Sequence, residues 1–533
     1  MARWNLLGVL LVLATGAFLV WAFEAAAEQE AADAKLFEHY DRFIEIVRLV
    51  QKQYVRDVDT RKMFENAVNG MLNGLDPFSN FIPESELAEF NKGTRGKFGG
   101  IGIQIGMRRG MLTVISPLED TPAYRAGVLS GDIIIEIEGK STDNIRLEEA
   151  VKTLTGDPGT KVRLKVRHMT GSVEEFTITR AMIEVHSVKG LSRDDKDQWV
   201  HLADPEKKIA YVRLTSFNEA SAGDLRKVMD QLTKDGVKGL VLDLRFNPGG
   251  ILKTAIDVCD MFIDQGVIVS TKGRTTPHWE ATATKDGTLP YFPMVVLINP
   301  FSASASEIVS GCLQDHHRAI VIGERSFGKG SVQNVIPLEG EKAALKLTTS
   351  KYYLPAGRNI HREEDMTEKD EWGVVPDIIV AMTPEEYVGI LRHRQEAEVL
   401  HRGESAPKPE GQTSPDAAKP DATKSEKPET KPKSEAPPKA PPPKGGKSAP
   451  ETPTPDAAPR TEPPVMPDPD APGAPPRGEE AAGPKPLKPS EDRQLQRALD
   501  ILRSMDIVEK YLKHEPPARP EPPKAPPAAK KAA

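Results

Sequence analysis

The chain has 533 residues, a net charge of −7 and only two cysteines. That length exceeds one ordinary core and fits two or three compact units with linkers. The mild acidity excludes a nucleic-acid binder, which needs a basic face, and two cysteines exclude a disulfide framework. Proline divides the chain, because about two thirds of its 47 prolines follow His401. Cys259 and Cys312 stand among apolar neighbours and read as buried small hydrophobes. No cysteine–histidine spacing suits zinc, and His316-His317 reads as a helix end, so no metal or cofactor is expected.

Residues 1–27 carry an address. Arg3 precedes the apolar run Leu6–Phe23 and the small-residue motif Ala25-Ala26-Ala27, which fits a cleaved signal peptide or an uncleaved membrane anchor. Either way the remainder is expected to be exported, periplasmic or on the outer face of the cytoplasmic membrane. Residues 33–95 show helical spacing through Leu36, Phe37, Tyr40, Phe43, Ile44 and Val47 and again over Met63–Leu72. They read as a helical N-terminal region and a candidate association surface.

From Lys97 the pattern changes to a glycine-rich turn, Gly99-Gly100-Ile101-Gly102-Ile103, then strands near Met111–Ser116, Asp132–Glu138 and Lys161–Val166. Such a turn before an edge strand leaves N–H groups for a peptide's terminal carboxylate while the strand pairs with its backbone. With Ser116-Pro117, Pro122-Ala123, Ala126-Gly127 and Gly131-Asp132-Ile133-Ile134 in that order, residues 96–170 resemble a PDZ domain. Over 171–385, the apolar runs Ile209–Leu214, Gly239–Leu244, Met294–Ile298 and Ala319–Ile322 alternate with helical stretches Ala222–Leu232, Ile251–Phe262 and Ser304–Gln314. That is βα alternation around a mostly parallel sheet buried on both faces. Residues 403–489 lack large apolar side chains and read as a disordered Pro-rich linker. Helical spacing returns over 490–513, before a second Pro/Ala/Lys tail, 514–533.

Three pieces could carry chemistry. Ser302-Ala303-Ser304-Ala305-Ser306 follows a predicted strand and precedes a predicted helix, a turn that raises a hydroxyl above the sheet edge; serine there needs an adjacent base. Gly328-Lys329-Gly330 places a lysine between glycines, and as a base it would have to be neutral, about three units below its usual pKa. Gln333 lies four residues on; an extended strand would hold it ~13 Å from Lys329, whereas a helical bend would join them. Pro248-Gly249-Gly250 bends sharply and exposes N–H groups suited to an oxyanion.

Together these pieces resemble the carboxyl-terminal processing proteases, the tail-specific S41-family serine peptidases with an embedded PDZ domain. The resemblance runs from about Ala34 to Thr383 and includes Gly70-Met-Leu-Asn-Gly-Leu-Asp-Pro77, Asp243-Leu-Arg245 and Val375-Pro-Asp377. It implies an α/β (α+β multidomain) fold in which a PDZ domain precedes an α/β Ser-Lys core. It also implies Ser304 as nucleophile, Lys329 as general base, Gln333 as the residue orienting Lys329, and an oxyanion hole from the N–H groups of Ala305 and Gly250, with Gly249 the alternative. Expected partners are proteins with unstructured C-termini captured by the Gly99–Ile103 loop; assembly into a homo-oligomer through terminal helices follows by analogy. Phe246 stands where the family often has asparagine and Phe78 where it often has histidine. The segment His361–Trp372 lengthens a loop. The proline-rich linker separates the late helix from the core it would join, which leaves its packing open. A non-catalytic scaffold binding C-terminal tails is the competing reading, and a Ser-His site using His316 or His317 is the third.

Overall fold

The computed structural model describes residues 37–87, 90, 96–108, 110–338, 340, 342–367, 369–400 and 485–512. The expected signal peptide or anchor at 1–27, the expected linker up to residue 484 and the tail 514–533 lie outside these. Among the described residues no helix is long and apolar enough to cross a membrane.

The central sheet orders its strands Val188–Lys189, Ile209–Leu214, Gly239–Asp243, Met294–Ile298, Ile320–Gly323 and Ile378–Ile379, with Leu202–Asp204 also pairing Ile209–Leu214. The run from Ile209–Leu214 to Ile378–Ile379 is parallel, and the two additions at the first edge are antiparallel. The strands read as unbroken apolar runs because the two-residue period sends neighbours to opposite faces and both faces are covered. Ala210, Val212, Leu240, Leu242, Val296 and Val321 pack beneath helices Ser221–Lys234, Leu252–Asp260 and Ala305–Asp315. Ile209, Tyr211, Val241, Val295, Leu297 and Ile322 pack against Leu495, Ala498, Leu499 and Leu502 of the late helix Arg493–Leu512. That helix is therefore the second outer layer of an α/β/α sandwich, whatever the length of chain before it.

A buried ion network fixes it there. Arg245 is clamped by Asp492 (Nη1–Oδ1 3.0 Å, Nη2–Oδ2 2.8 Å) and by Asp243 (Nη2–Oδ2 2.7 Å), and Arg394 reaches the same Asp243 Oδ2 at 2.6 Å. The two arginines hold the Asp243 carboxyl far below the usual carboxylate range, against a burial penalty acting the other way.

A second, antiparallel sheet runs Asn80–Ile82, Ala344–Tyr353, Val267–Lys272, Trp279–Thr282, with Ser331–Pro337 also paired to Ala344–Tyr353. Alternation predicted none of this sheet as such, and it changes one expectation. The region expected to be helical over 33–95 contains a strand, Asn80–Ile82, that pairs with the protease core.

The PDZ unit is an antiparallel sheet ordered Ile103–Arg108, Met111–Pro117, Ile133–Ile137, Lys161–Arg167, Val173–Thr179, with helices Pro122–Ala126 and Leu147–Leu154. The expected boundary at 170 falls in a hairpin turn, since Val173–Thr179 pairs fully with Lys161–Arg167. Lys97–Gly100 and Ala181–Glu184 pair antiparallel where the chain enters and leaves this unit. Gly99 and Gly100 are thus strand residues, and the turn itself is Ile101-Gly102.

Candidate active site

The strand Met294–Ile298 ends in the serine segment, and the three hydroxyls have different fates. Ser302 is buried, donates to the Leu244 carbonyl at 2.9 Å and accepts from the Asn299 N–H at 3.0 Å. Ser306, also buried, donates to the Asn247 carbonyl at 2.9 Å. Ser304 Oγ bonds to no other side chain among the described residues and forms, with Glu307, the reciprocal capping box that opens the following helix. Its backbone sits at φ 56°, ψ −113°, a region non-glycine residues occupy only when the surroundings impose it, and one that clusters at functional sites. The turn hands directly to helix Ala305–Asp315, so the Ala305 N–H is left without an internal acceptor.

Pro248-Gly249-Gly250 lies against this turn. Gly249 has φ +96°, and a Cβ there would stand 2.9 Å from Ala305 N and 2.5 Å from the Ala303 carbonyl oxygen. Phe217 pins the loop through Phe217 N–H to Gly249 O (3.0 Å) and Ile251 N–H to Phe217 O (2.8 Å). The Gly249 N–H is consumed by Asn247 Oδ1 at 2.9 Å. Gly250, exposed, donates to no acceptor among the described residues. Of the two glycines weighed as donors, Gly250 is the one still available.

Phe246, beside this loop, stacks on Phe301 (5.5 Å between centroids, 13°) with Tyr387 against its edge. Its N–H donates to Asn299 Oδ1 at 2.9 Å. The departure from asparagine thus builds an aromatic cluster next to the serine turn.

Lys329 precedes the strand Ser331–Pro337 in a loop held by the long segment after it. The Gly328 carbonyl accepts from Arg362 N–H at 2.9 Å, and a Cβ on Gly328 would stand 2.9 Å from Trp372 and from the Arg362 side chain. The Lys329 amine is half-buried and has no hydrogen-bond partner among the described residues. Burial, then the Lys346 charge, push its pKa down to about 8, while Glu307 and Asp76 act in the opposite direction. Gln333 makes no hydrogen bond to it. The strand is extended with a bulge at Val332/Gln333 and no helical bend forms. The Gln333 amide donates instead to Ser331 Oγ (2.9 Å) and Thr348 Oγ1 (3.1 Å).

Two buried residues that the sequence reading left without a role join the serine turn to the lysine loop. Glu307 Oε2 accepts from the N–H groups of Ser304 (2.7 Å) and Lys329 (2.9 Å), and Oε1 accepts from Ser326 Oγ (2.6 Å) and Gly328 N–H (2.7 Å). Burial still raises its pKa above the ordinary value. Tyr352 OH donates to the Lys329 carbonyl at 2.6 Å and lies 3.3 Å from that of Ser304. The signal for Glu307 was present in the motif, an acid three residues into a helix after a serine. That for Tyr352 was not, because its strand partner is remote in sequence.

His316 and His317 sit at the far end of the serine helix, where His316 Nε2 pairs with the Val267 carbonyl at 2.7 Å. An 11-residue helix separates them from Ser304 by about 16 Å of rise. Among the described residues no group of three or more His, Cys, Asp or Glu side chains could hold a metal ion.

Comparison with known proteins shows the family. Residues 208–380 match the profile of peptidase family S41, residues 113–168 that of a PDZ domain, and residues 18–85 that of the activating protease CtpB N-terminal domain. A carboxy-terminal-processing protease of Bartonella bacilliformis is 42% identical over 360 residues, which span 66% of this chain and 78% of the relative. The chain is a carboxy-terminal-processing protease of peptidase family S41. It is a serine-type endopeptidase. The carboxy-terminal processing protease CtpA of Bacillus subtilis is 31% identical over 61% of this chain and 67% of its own length. A solved photosystem II D1 C-terminal processing protease aligns at 28% identity over 63% of this chain and 92% of that one, with a TM-score of 0.36.

The PDZ domain of this protease presents strand Ile103–Arg108 as the free edge of its sheet, with helix Leu147–Leu154 alongside. Ile103, Ile105 and Met107 are partly buried against the domain core, and Leu147 and Val151 are exposed on the helix. Gly102, at φ +78°, leaves no room for a Cβ beside Thr121 and accepts from Thr121 Oγ1 and Leu118 N–H, each at 2.9 Å. An open strand edge beside an apolar-lined helix is the geometry that takes an extended peptide by strand addition.

Proposed function

We propose that this protease captures unstructured C-terminal tails in the groove of its PDZ domain and cuts the chain with a Ser304–Lys329 dyad. Ser304 Oγ attacks the scissile carbonyl and its proton passes to the neutral Lys329 amine. The N–H groups of Ala305 and Gly250 stabilise the developing oxyanion, and the resulting ammonium protonates the departing amine. Water then attacks the acyl-enzyme with the same lysine as base. Gln333 acts at one remove, fixing the strand after Lys329 through Thr348. One observation carries this reading: a single buried carboxylate, Glu307, accepts from the backbone N–H groups of both Ser304, on its strained turn, and Lys329, whose half-buried amine has no hydrogen-bond partner among the described residues.

Ser304→Ala and Lys329→Ala, tested on proteins with free or blocked apolar C-termini, decide it. Both variants should lose cleavage, and blocking should weaken it in the wild type. Cleavage retained by Lys329→Ala removes the dyad; retained tail binding with no cleavage by the wild type favours the scaffold.

The apolar run before Ala25-Ala26-Ala27 supports export to the periplasm or the outer face of the membrane, which cell fractionation with N-terminal sequencing tests. The exposed Phe37, Tyr40, Phe43 and Ile46 on the helical segment 37–53 support a homo-oligomer joined through this region, which sedimentation of a chain lacking them tests.

A further inference from the structure

Lys329 Nζ makes no hydrogen bond to Ser304. Its ammonium nitrogen stands 4.7 Å from the ring centroid of Phe78, over the face. Phe78 belongs to the N-terminal region rather than to the protease core, and its place is fixed by Asp76. That carboxylate accepts from the N–H groups of Phe78 (2.7 Å) and Ser79 (2.9 Å), from Ser79 Oγ (2.8 Å) and, across to the core, from Thr348 Oγ1 (3.2 Å). The Phe78 ring also meets the His361 imidazole, 6.2 Å between centroids. His361 comes from the lengthened loop, and its Nδ1 accepts from the Gly330 N–H at 3.3 Å. A Cβ at Gly330 would come within 2.5 Å of His361 N, so this close approach requires the glycine.

We infer that Phe78 is a positioning residue that holds Lys329 as its ammonium away from Ser304, so that the N-terminal region sets how much of the enzyme has a neutral base. The inference rests on Lys329 being the base, as proposed above. A ring face attracts the cation and gains nothing from the neutral amine, so the contact favours the protonated, parked form. Loss of the proton ends the attraction and frees the amine to reach Ser304. The other groups facing Lys329 are the Glu307 carboxylate from the serine helix and Asp76 from the N-terminal segment, which favour the cation. Lys346 from the neighbouring strand opposes it, and His361 from the long loop interacts with it electrostatically. The share of Phe78 amounts to about half a pH unit to one unit.

The test is the pH profile of kcat/KM for the wild type, Phe78→Leu and Phe78→Trp, with Lys329→Ala as control. Leucine keeps the site apolar and removes the ring, so the acid inflection should fall by about half a unit to one unit. Tryptophan offers a stronger face, so it should rise, and both variants should approach the wild-type plateau at high pH. One unit below the wild-type inflection, Phe78→Leu should then be roughly three- to fivefold more active. A packing defect alone would lower the plateau or shift both variants the same way. Either result, or an inflection that stays in place, overturns the role of Phe78. Should leucine destabilise the chain, pentafluorophenylalanine at position 78 inverts the ring's charge distribution at nearly the same shape, and its inflection should fall likewise. Full activity of Lys329→Ala would instead bring down the dyad. An inactive Lys329→Ala with unmoved inflections brings down only this inference.

Discussion

Glu307 is the joint on which the site's geometry depends, and its loss can be graded. In Glu307→Gln one oxygen becomes an NH2 group, which can face either pair of donors. Facing Ser304 N–H and Lys329 N–H it would orphan both. Facing the other pair it orphans Gly328 N–H and the Ser326 hydroxyl proton, while Ser326 Oγ, which already accepts from Val374 N–H at 2.6 Å, accepts from the amide as well. The second orientation is favoured and costs about 2–6 kcal/mol, the penalty of two buried donors that lose their acceptor. Glu307→Ala leaves four donors without that acceptor, the N–H groups of Ser304, Gly328 and Lys329 and the Ser326 hydroxyl, at about twice that cost. This is a large part of a typical domain's 5–15 kcal/mol. Urea unfolding should therefore show a moderate drop in midpoint for glutamine and a severe one for alanine. Turnover of a tailed substrate should fall about tenfold for glutamine and by more than a hundredfold for alanine, as Ser304 leaves its strained conformation. Equal effects of the two substitutions, or near-wild-type turnover by Glu307→Ala, would refute the idea that this carboxylate holds nucleophile and base together.

Asp492→Ala leaves the buried Arg245 and Arg394 sharing the one carboxylate of Asp243 and should cost about 3–5 kcal/mol in urea unfolding, with the late helix becoming susceptible to protease; a loss below 1 kcal/mol would contradict its place as a structural layer. Gly249→Ala forces a side chain onto Ala303 O and Ala305 N at a left-handed φ, so kcat should fall at least tenfold while the circular dichroism spectrum is kept. Ile105→Lys puts a charge in the PDZ groove and should raise KM for tailed substrates with little change in kcat for short peptides; unaltered KM would place tail capture elsewhere.

The parts of this molecule that sequence revealed are those with short-range causes. The strand at Met294–Ile298 and its serine turn could be read because a buried parallel strand is a continuous apolar run and the following helix is local. The PDZ unit could be read because its turn glycines stand at fixed offsets. The antiparallel sheet around Ala344–Tyr353 was hidden, since its half-buried strands carry polar residues such as Lys346, Thr348 and Lys351, and pairing with Asn80–Ile82 spans the whole core. Gln333 was misplaced for a related reason: its contacts, Ser331 and Thr348, are set by strand register rather than by spacing from Lys329. The late helix could be recognised by its period of apolar positions, but its packing could not. Its buried clamp joins Asp492 to Arg245 across 247 positions, a separation on which local pattern is silent. Phe78 illustrates the same limit, because nothing near it in the chain announces a lysine.

The acid limb of kcat/KM for the wild-type enzyme on a tailed substrate tests the central claim most directly. A neutral lysine as base requires activity to rise with pH along a slope of one and to level off above an inflection near 8, the value to which burial brings Lys329. At pH 7 about a tenth of the plateau should remain. An inflection between 6 and 7, the range of an imidazole, or a flat profile from pH 6 to 9, would contradict the account.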